Sequence, residues 1–130
     1  PVGSILAGSS DFIERARRVR KLLGGGMRQA GIVAAPGLLA LENRNRLQSD
    51  HRRARKLAAG LDDIPGLTVP QPETNIVLAG TGEPAQAVLD RLGKRDVIAS
   101  AFGEHTIRFC THWDIDDEDI ETAIERARDV

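Results

Sequence analysis

The chain has 130 residues, 41% of them hydrophobic and 28% charged, which is the size and balance of one globular domain with a modest core. Its 18 basic and 19 acidic residues leave a formal charge of −1, so the long-range field gives no reason to attract nucleic acid or an anionic membrane. Apolar runs such as 31–41 fall short of the roughly 20 residues of a membrane span, and the one cysteine, Cys110, excludes an internal disulfide.

Residues 1–8 are short, apolar and partly β-branched, and they predict a buried strand, Val2 to Ala7, ahead of a helix capped by Ser10. With no basic leader before Pro1, this opening is expected to continue from upstream sequence rather than to be a signal peptide. From Asp11 to Leu23, Phe12, Ile13, Ala16, Val19, Leu22 and Leu23 recur at helical spacing, and Arg15, Arg17, Arg18, Arg20 and Lys21 take the opposite face. Gly24, Gly25 and Gly26 stop that helix.

The pattern from Gln29 to about Leu41 is helical with a kink expected near Pro36, and a polar helix follows from Glu42 to Leu61 with Leu47, Ala54, Leu57, Ala58 and Leu61 on one side. Two short strands, Leu67–Val69 and Asn75–Ala79, come after the Ile64-Pro65-Gly66 turn. Pro84 opens the next helix at its first position and Ala85 to Leu92 continue it, followed by a strand pair, Val97–Ala101 and Thr106–Thr111. Asp116 to Arg128 closes the chain as a helix with Ile120, Ala123, Ile124 and Ala127 inward, acids at its positive end and arginines at its negative end. The order predicts an α+β fold with helices on one face of a mostly antiparallel sheet.

The stretch from Lys21 to Gly31, Lys-Leu-Leu-Gly-Gly-Gly-Met-Arg-Gln-Ala-Gly, sets a flexible turn between two cations beside the start of a helix, an arrangement suited to an anion. Neither a Walker A loop nor a dinucleotide fingerprint fits its spacing. By itself the pattern equally describes a helix stop with a solvated arginine. Arg108 interrupts an apolar strand, Thr106-Ile107-Arg108-Phe109-Cys110, and needs either an anionic partner or an edge facing water. His112 is read as a strand-end histidine bonded to backbone before it is read as a base, and His51 and His105 as exposed. Cys110 is read as a small buried hydrophobe of a reducing cytoplasm. The basic runs 15–21 and 44–56 lack aromatic residues for base stacking and are read as solvated helix faces. No metal site is expected.

Arg20-Lys21-Leu22-Leu23-Gly24-Gly25-Gly26-Met27-Arg28-Gln29-Ala30-Gly31, leading into Leu41-Glu42-Asn43, resembles the low-specificity L-threonine aldolases, of the aminotransferase-like pyridoxal-phosphate fold (fold type I). Pro1-Val2-Gly3-Ser4 is similar to the segment a few residues after the family's Schiff-base lysine, and Thr74-Asn75-Ile76-Val77 and Arg108-Phe109-Cys110-Thr111-His112 are similar to later family segments in the same order, so the resemblance covers nearly the whole chain. Trp113 stands where the family has leucine.

The resemblance implies that residues 1–28 are the last strand, helix and glycine-rich loop of a large cofactor domain, and that 29–130 form the small C-terminal domain. It implies a lyase cleaving threonine or related β-hydroxy amino acids to glycine and an aldehyde, with pyridoxal 5'-phosphate held covalently by a lysine before Pro1. No catalytic residue then lies in this chain. Lys21 and Arg28 would bind cofactor, Arg28 near its phosphate, in a neighbouring subunit's site, and Arg108 would hold the substrate α-carboxylate. The expected partners are an amino-acid substrate and either further copies, as dimer or tetramer, or a complementary N-terminal part; the expected location is the cytoplasm. Alone, the chain is expected to be inactive. A non-catalytic oligomerisation module and a β-eliminating lyase are the alternatives.

Overall fold

The computed structural model describes residues 4–129, which divide into two compact units, Pro1–Asn45 and Arg46–Val130. In the first unit, residues 4–8 form no strand, and Ile5 and Leu6 are exposed; residues 1–3 of the expected strand lie outside the described residues. A strand needs neighbours for its backbone groups, and among the described residues of this unit there is no strand.

The first helix, α1, runs Ser10–Leu22, and its cap is Ser9, not Ser10. Ser9 keeps an extended backbone while its Oγ accepts from the Phe12 N–H at 3.4 Å. The glycines stop α1 as expected. Gly24 adopts φ +79°, its N–H donates to the Lys21 carbonyl at 3.2 Å and the Gly25 N–H to that of Arg20 at 2.8 Å, the paired bonds of a Schellman ending. The second helix, α2, spans Gly31–Glu42 and continues through Pro36 without the hydrogen bond that residue 36 would donate to Ile32. A 3-10 turn, Arg44–Arg46, interrupts what the periodicity reads as one helix from Glu42 to Leu61. Asn43 terminates α2 there, with its Nδ2 donating to the Leu39 carbonyl at 2.9 Å.

The second unit contains α3 (Leu47–Asp62), β1 (Leu67–Thr68), β2 (Ile76–Thr81), α4 (Ala85–Gly93), β3 (Ser100–Gly103), β4 (Thr106–Cys110) and α5 (Asp117–Arg128). The strands form an antiparallel sheet in the order β1-β2-β4-β3. Val77, Ala79, Ile107 and Phe109 line its covered face against Ala54, Leu57, Ala58 and Leu61 of α3, Val88 and Leu92 of α4, and Ile120 and Ala127 of α5. This is the α+β arrangement anticipated from the pattern. Leu47, expected in the α3 stripe, is exposed, and Asp50 takes the buried place one turn on.

Three boundaries move for identifiable reasons. β3 begins at Ser100 rather than Val97 because Asp96 turns to φ +58° and the Val97 N–H returns to the Leu92 carbonyl at 3.0 Å, so 94–97 finish α4 instead of extending. Pro84 caps α4 from an extended conformation, ψ 130°, rather than occupying its first turn. α5 starts at Asp117 under a reciprocal capping box between Asp116 and Asp119, each bond 2.9 Å. Gly60 of α3 faces Ile124 of α5, where an added Cβ would lie 2.7 Å from Cγ1 and 2.9 Å from Cγ2, so glycine sets how closely these helices pack.

Candidate functional site

Arg108 sits in β4, a central strand, where alternation puts Ile107 and Phe109 in the core and Arg108 on the uncovered face. Its cross-strand neighbours there are Leu78 of β2 and Ser100 of β3, the latter with Oγ 3.4 Å from the Arg108 carbonyl. Arg108 makes no ion pair among the described residues. A guanidinium held at mid-sheet, exposed and without a carboxylate, meets the geometric requirement for a bidentate anion from outside.

Lys21 and Arg28 belong to the first unit, and each is exposed and without an ion pair among the described residues. Their shared turn explains its glycines. A Cβ at Gly25 would meet Arg20 Cγ at 2.9 Å and the Arg20 carbonyl oxygen at 3.1 Å; one at Gly26 would meet Lys21 Cδ and Nζ at 2.9 Å. The run thus lets the Lys21 ammonium fold back over Gly26. Gln29 takes φ +50°, an uncommon conformation costing about 1 kcal/mol, and delivers the chain into α2, whose N-terminus has no side-chain cap.

Cys110 is exposed rather than buried, because strand alternation places it on the face of Arg108; its Sγ accepts from Asn75 Nδ2 at 3.2 Å. His112 is bonded to backbone as anticipated, its Nδ1 accepting from the Asp114 N–H at 3.3 Å. His105 is exposed as expected, whereas His51 is half-buried in α3. Part of the basic run 44–56 is not merely solvated: Arg52 and Arg53 reach Asp117 at 3.4 and 3.3 Å, and Lys56 reaches Glu121 at 2.5 Å, joining α3 to α5. The hydrogen bond from Arg53, with the charges of both arginines, holds the Asp117 carboxyl below its ordinary range. A groove of about 450 Å³ lies between α5 and the far end of β4, lined by Leu57, Phe109, Ile120 and Arg126 among others, and does not include Arg108.

Residues 1–83 match the beta-eliminating lyase family. The chain belongs to that family. Over 92% of its length it is 43% identical to the low specificity L-threonine aldolase of Escherichia coli, and over 72% it is 44% identical to low-specificity L-threonine aldolase 1 of Arabidopsis thaliana. It spans 36% and 27% of those relatives, about a third of their length. Among solved structures, the cystine C-S lyase C-DES in complex with cysteine persulfide superimposes with a TM-score of 0.56 at 22% identity over 63% of this chain and 23% of its own. A NifS-like protein from Rickettsia africae gives 0.59 at 18% identity over 81% and 36%. These likenesses place the fold among pyridoxal-phosphate enzymes of fold type I, consistent with a small C-terminal domain.

The cations present suit such a lyase's cofactor. A phosphate monoester calls for cations with room to reach it, which exposed Lys21 and Arg28 supply in one segment, whereas at the start of α2 the Ile32, Val33 and Ala34 N–H groups already donate to the Gln29 and Ala30 carbonyls. Periodicity did not reveal a second polar cluster. Arg46 binds the buried Asp50 at 3.2 and 3.4 Å and stacks over Trp113 at 4.1 Å, while Thr111 Oγ1 donates to the Asp50 carbonyl at 2.7 Å. The i,i+4 spacing of Arg46 and Asp50 was the one local signal for it. Among the described residues there is no group of metal-binding side chains and no helix long and apolar enough to cross a membrane.

Proposed function

We propose that this chain supplies the anion-gripping part of a pyridoxal-phosphate lyase that cleaves L-threonine and related β-hydroxy amino acids to glycine and an aldehyde, the Schiff-base lysine coming from sequence outside it. The observation that carries the reading is Arg108: a central-strand guanidinium, exposed and without an ion pair among the described residues, on the uncovered sheet face. The similarity to two threonine aldolases supports the substrate class.

In this reading Arg108 takes the substrate α-carboxylate through two parallel N–H···O bonds and so fixes the orientation of the Cα substituents. Lys21 and Arg28 hold the cofactor phosphate by their charge, Arg28 with the fork that suits a phosphate. Bound pyridoxal phosphate supplies the electron sink that makes a bond to Cα breakable. The chain's own part is to bind and orient; among its three lysines, Lys56 is engaged by Glu121.

Kinetics of the assembled enzyme, this chain with its lysine-bearing complement, test the reading. Arg108→Lys keeps the charge but loses the planar fork, so KM for L-threonine should rise at least about tenfold, equivalent to about 1.4 kcal/mol of binding. Unchanged KM refutes the assignment. The chain alone, treated with pyridoxal phosphate and borohydride, should acquire no stoichiometric lysine adduct. A β-eliminating activity is the second reading, favoured by the family match and by the C-S lyase fold neighbour. Release of pyruvate and ammonia, rather than glycine and aldehyde, identifies it.

A further inference from the structure

Strand β4 is supported unevenly beyond Arg108. On one side β2 pairs with it as far as Ile76↔Cys110, whereas on the other β3 reaches only to Ser100↔Arg108, because residues 97–99 belong to no strand. Arg108 is thus the last residue of β4 with a strand on both sides. Residues 109–111 have a neighbour on the β2 side alone, and the groove lined by Val97, Ile98, Phe109 and Cys110 opens where β3 has ended.

Two side chains replace the missing ladder. Asn75 Nδ2 donates to the Thr111 carbonyl at 2.7 Å, beside the 2.9 Å bond from the Thr111 N–H to the Asn75 carbonyl. Thr111, only 1% exposed, donates through Oγ1 to the Asp50 carbonyl of α3 at 2.7 Å, and Asp50 is itself held by Arg46. Valine has nearly the size of threonine and would seal this end of the core without burying a hydroxyl. A hydroxyl and an amide with fixed acceptors, however, define one place for the strand end, which apolar packing does not. We infer that Asn75 and Thr111 are positioning residues for Arg108: they clamp the one-sided end of β4 to β2 and α3 and so set where the guanidinium meets a carboxylate. This role rests on the carboxylate grip proposed for Arg108. A bidentate pair tolerates little misplacement, so a shifted strand weakens the grip before it unfolds the sheet.

In the assembled enzyme, Asn75→Leu and Thr111→Val should each raise KM for L-threonine at least about threefold with kcat held within about twofold, the pattern of lost carboxylate binding. Thr111→Ser keeps the hydroxyl and should restore KM. In an Arg108→Lys background neither change should raise KM further, because the fork they position is gone. Thr81→Val is the matched control: Thr81 is also a buried threonine whose Oγ1 donates to a carbonyl, that of Glu83 at 2.7 Å, at the opposite end of β2 from Asn75, and KM should stay unaltered. The 130-residue chain gives a second readout without cofactor. Its Arg108 Nε–H resonance, assigned by loss in Arg108→Lys, should shift in Asn75→Leu and Thr111→Val and return in Thr111→Ser. Asn75 is only half-buried, so its variant keeps the test open should Thr111→Val fail to fold. Unchanged KM in the folded variants, an equal rise with Thr81→Val, an undiminished rise in the Arg108→Lys background or an unmoved Arg108 resonance overturns the role. If Arg108→Lys alone leaves KM unaltered, the carboxylate grip itself has failed and the role falls with it.

Discussion

Gly60→Ala offers a quantitative check on how the helical layer packs. Alanine in place of an interior helical glycine ordinarily gains about 1 kcal/mol. Here the new methyl would lie 2.7 Å from Ile124 Cγ1, 2.9 Å from Cγ2 and nearer still to Cδ1, where relaxed carbon contacts need about 3.5–4.0 Å. Ile124 is β-branched and stiff at χ1, so it cannot swing all three carbons aside, and α3 and α5 must part by about 1 Å. Such overpacking costs about 1–3 kcal/mol, and separating the helices also stretches the Arg53–Asp117 and Lys56–Glu121 pairs, so the net effect is a loss of about 1–2 kcal/mol. In an Ile124→Ala background the three offending carbons are gone and the same substitution should stabilise by up to about 1 kcal/mol. The assay is a double-mutant cycle by urea denaturation, read through Trp113, the chain's one tryptophan. Equal effects of Gly60→Ala in both backgrounds, or a gain in the parent, would refute the close approach of these helices.

Two further predictions bear on the same unit. The Asp117 carboxyl is held below its usual value of 3.8, chiefly by the Arg53 hydrogen bond, so its contribution is present above that value and disappears as pH falls through the lower folded value. Denaturation midpoints of the chain and of Asp117→Asn should therefore differ near neutral pH and converge as the pH falls below the lowered folded value; a constant offset contradicts the pairing. Arg46→Ala uncovers one face of Trp113 and leaves Asp50 buried without its cation, so a changed Trp113 emission and a loss of about 3 kcal/mol are expected in the same sample. An unaltered spectrum would show that the stacking does not persist in solution.

Periodicity and capping chemistry are local, and what depended on them was readable from the residues: α1 and its glycine stop, the buried stripes of α3 and α5, and a sheet beneath them. The Gly-Gly-Gly-Met-Arg-Gln segment and the Arg108 strand also point to the family from sequence alone, because a dense run of special residues is informative without a partner. Other outcomes hinged on residues far apart in the chain. Ile5 and Leu6 read as a strand but stay exposed, since a strand needs neighbours and the described residues of this unit form none. Cys110 is apolar enough to be buried, yet the register Ile76↔Cys110 puts it on the open face beside the row of Arg108. Asp50 carries no sequence signal of burial beyond its spacing to Arg46, and it is buried where Arg46 covers it and Trp113 arrives from the end of β4. Composition and spacing determined which segments form helices and which cations are candidates for an anion; tertiary packing decided which of those residues remain uncovered, because burial is a property of pairs brought together across the fold.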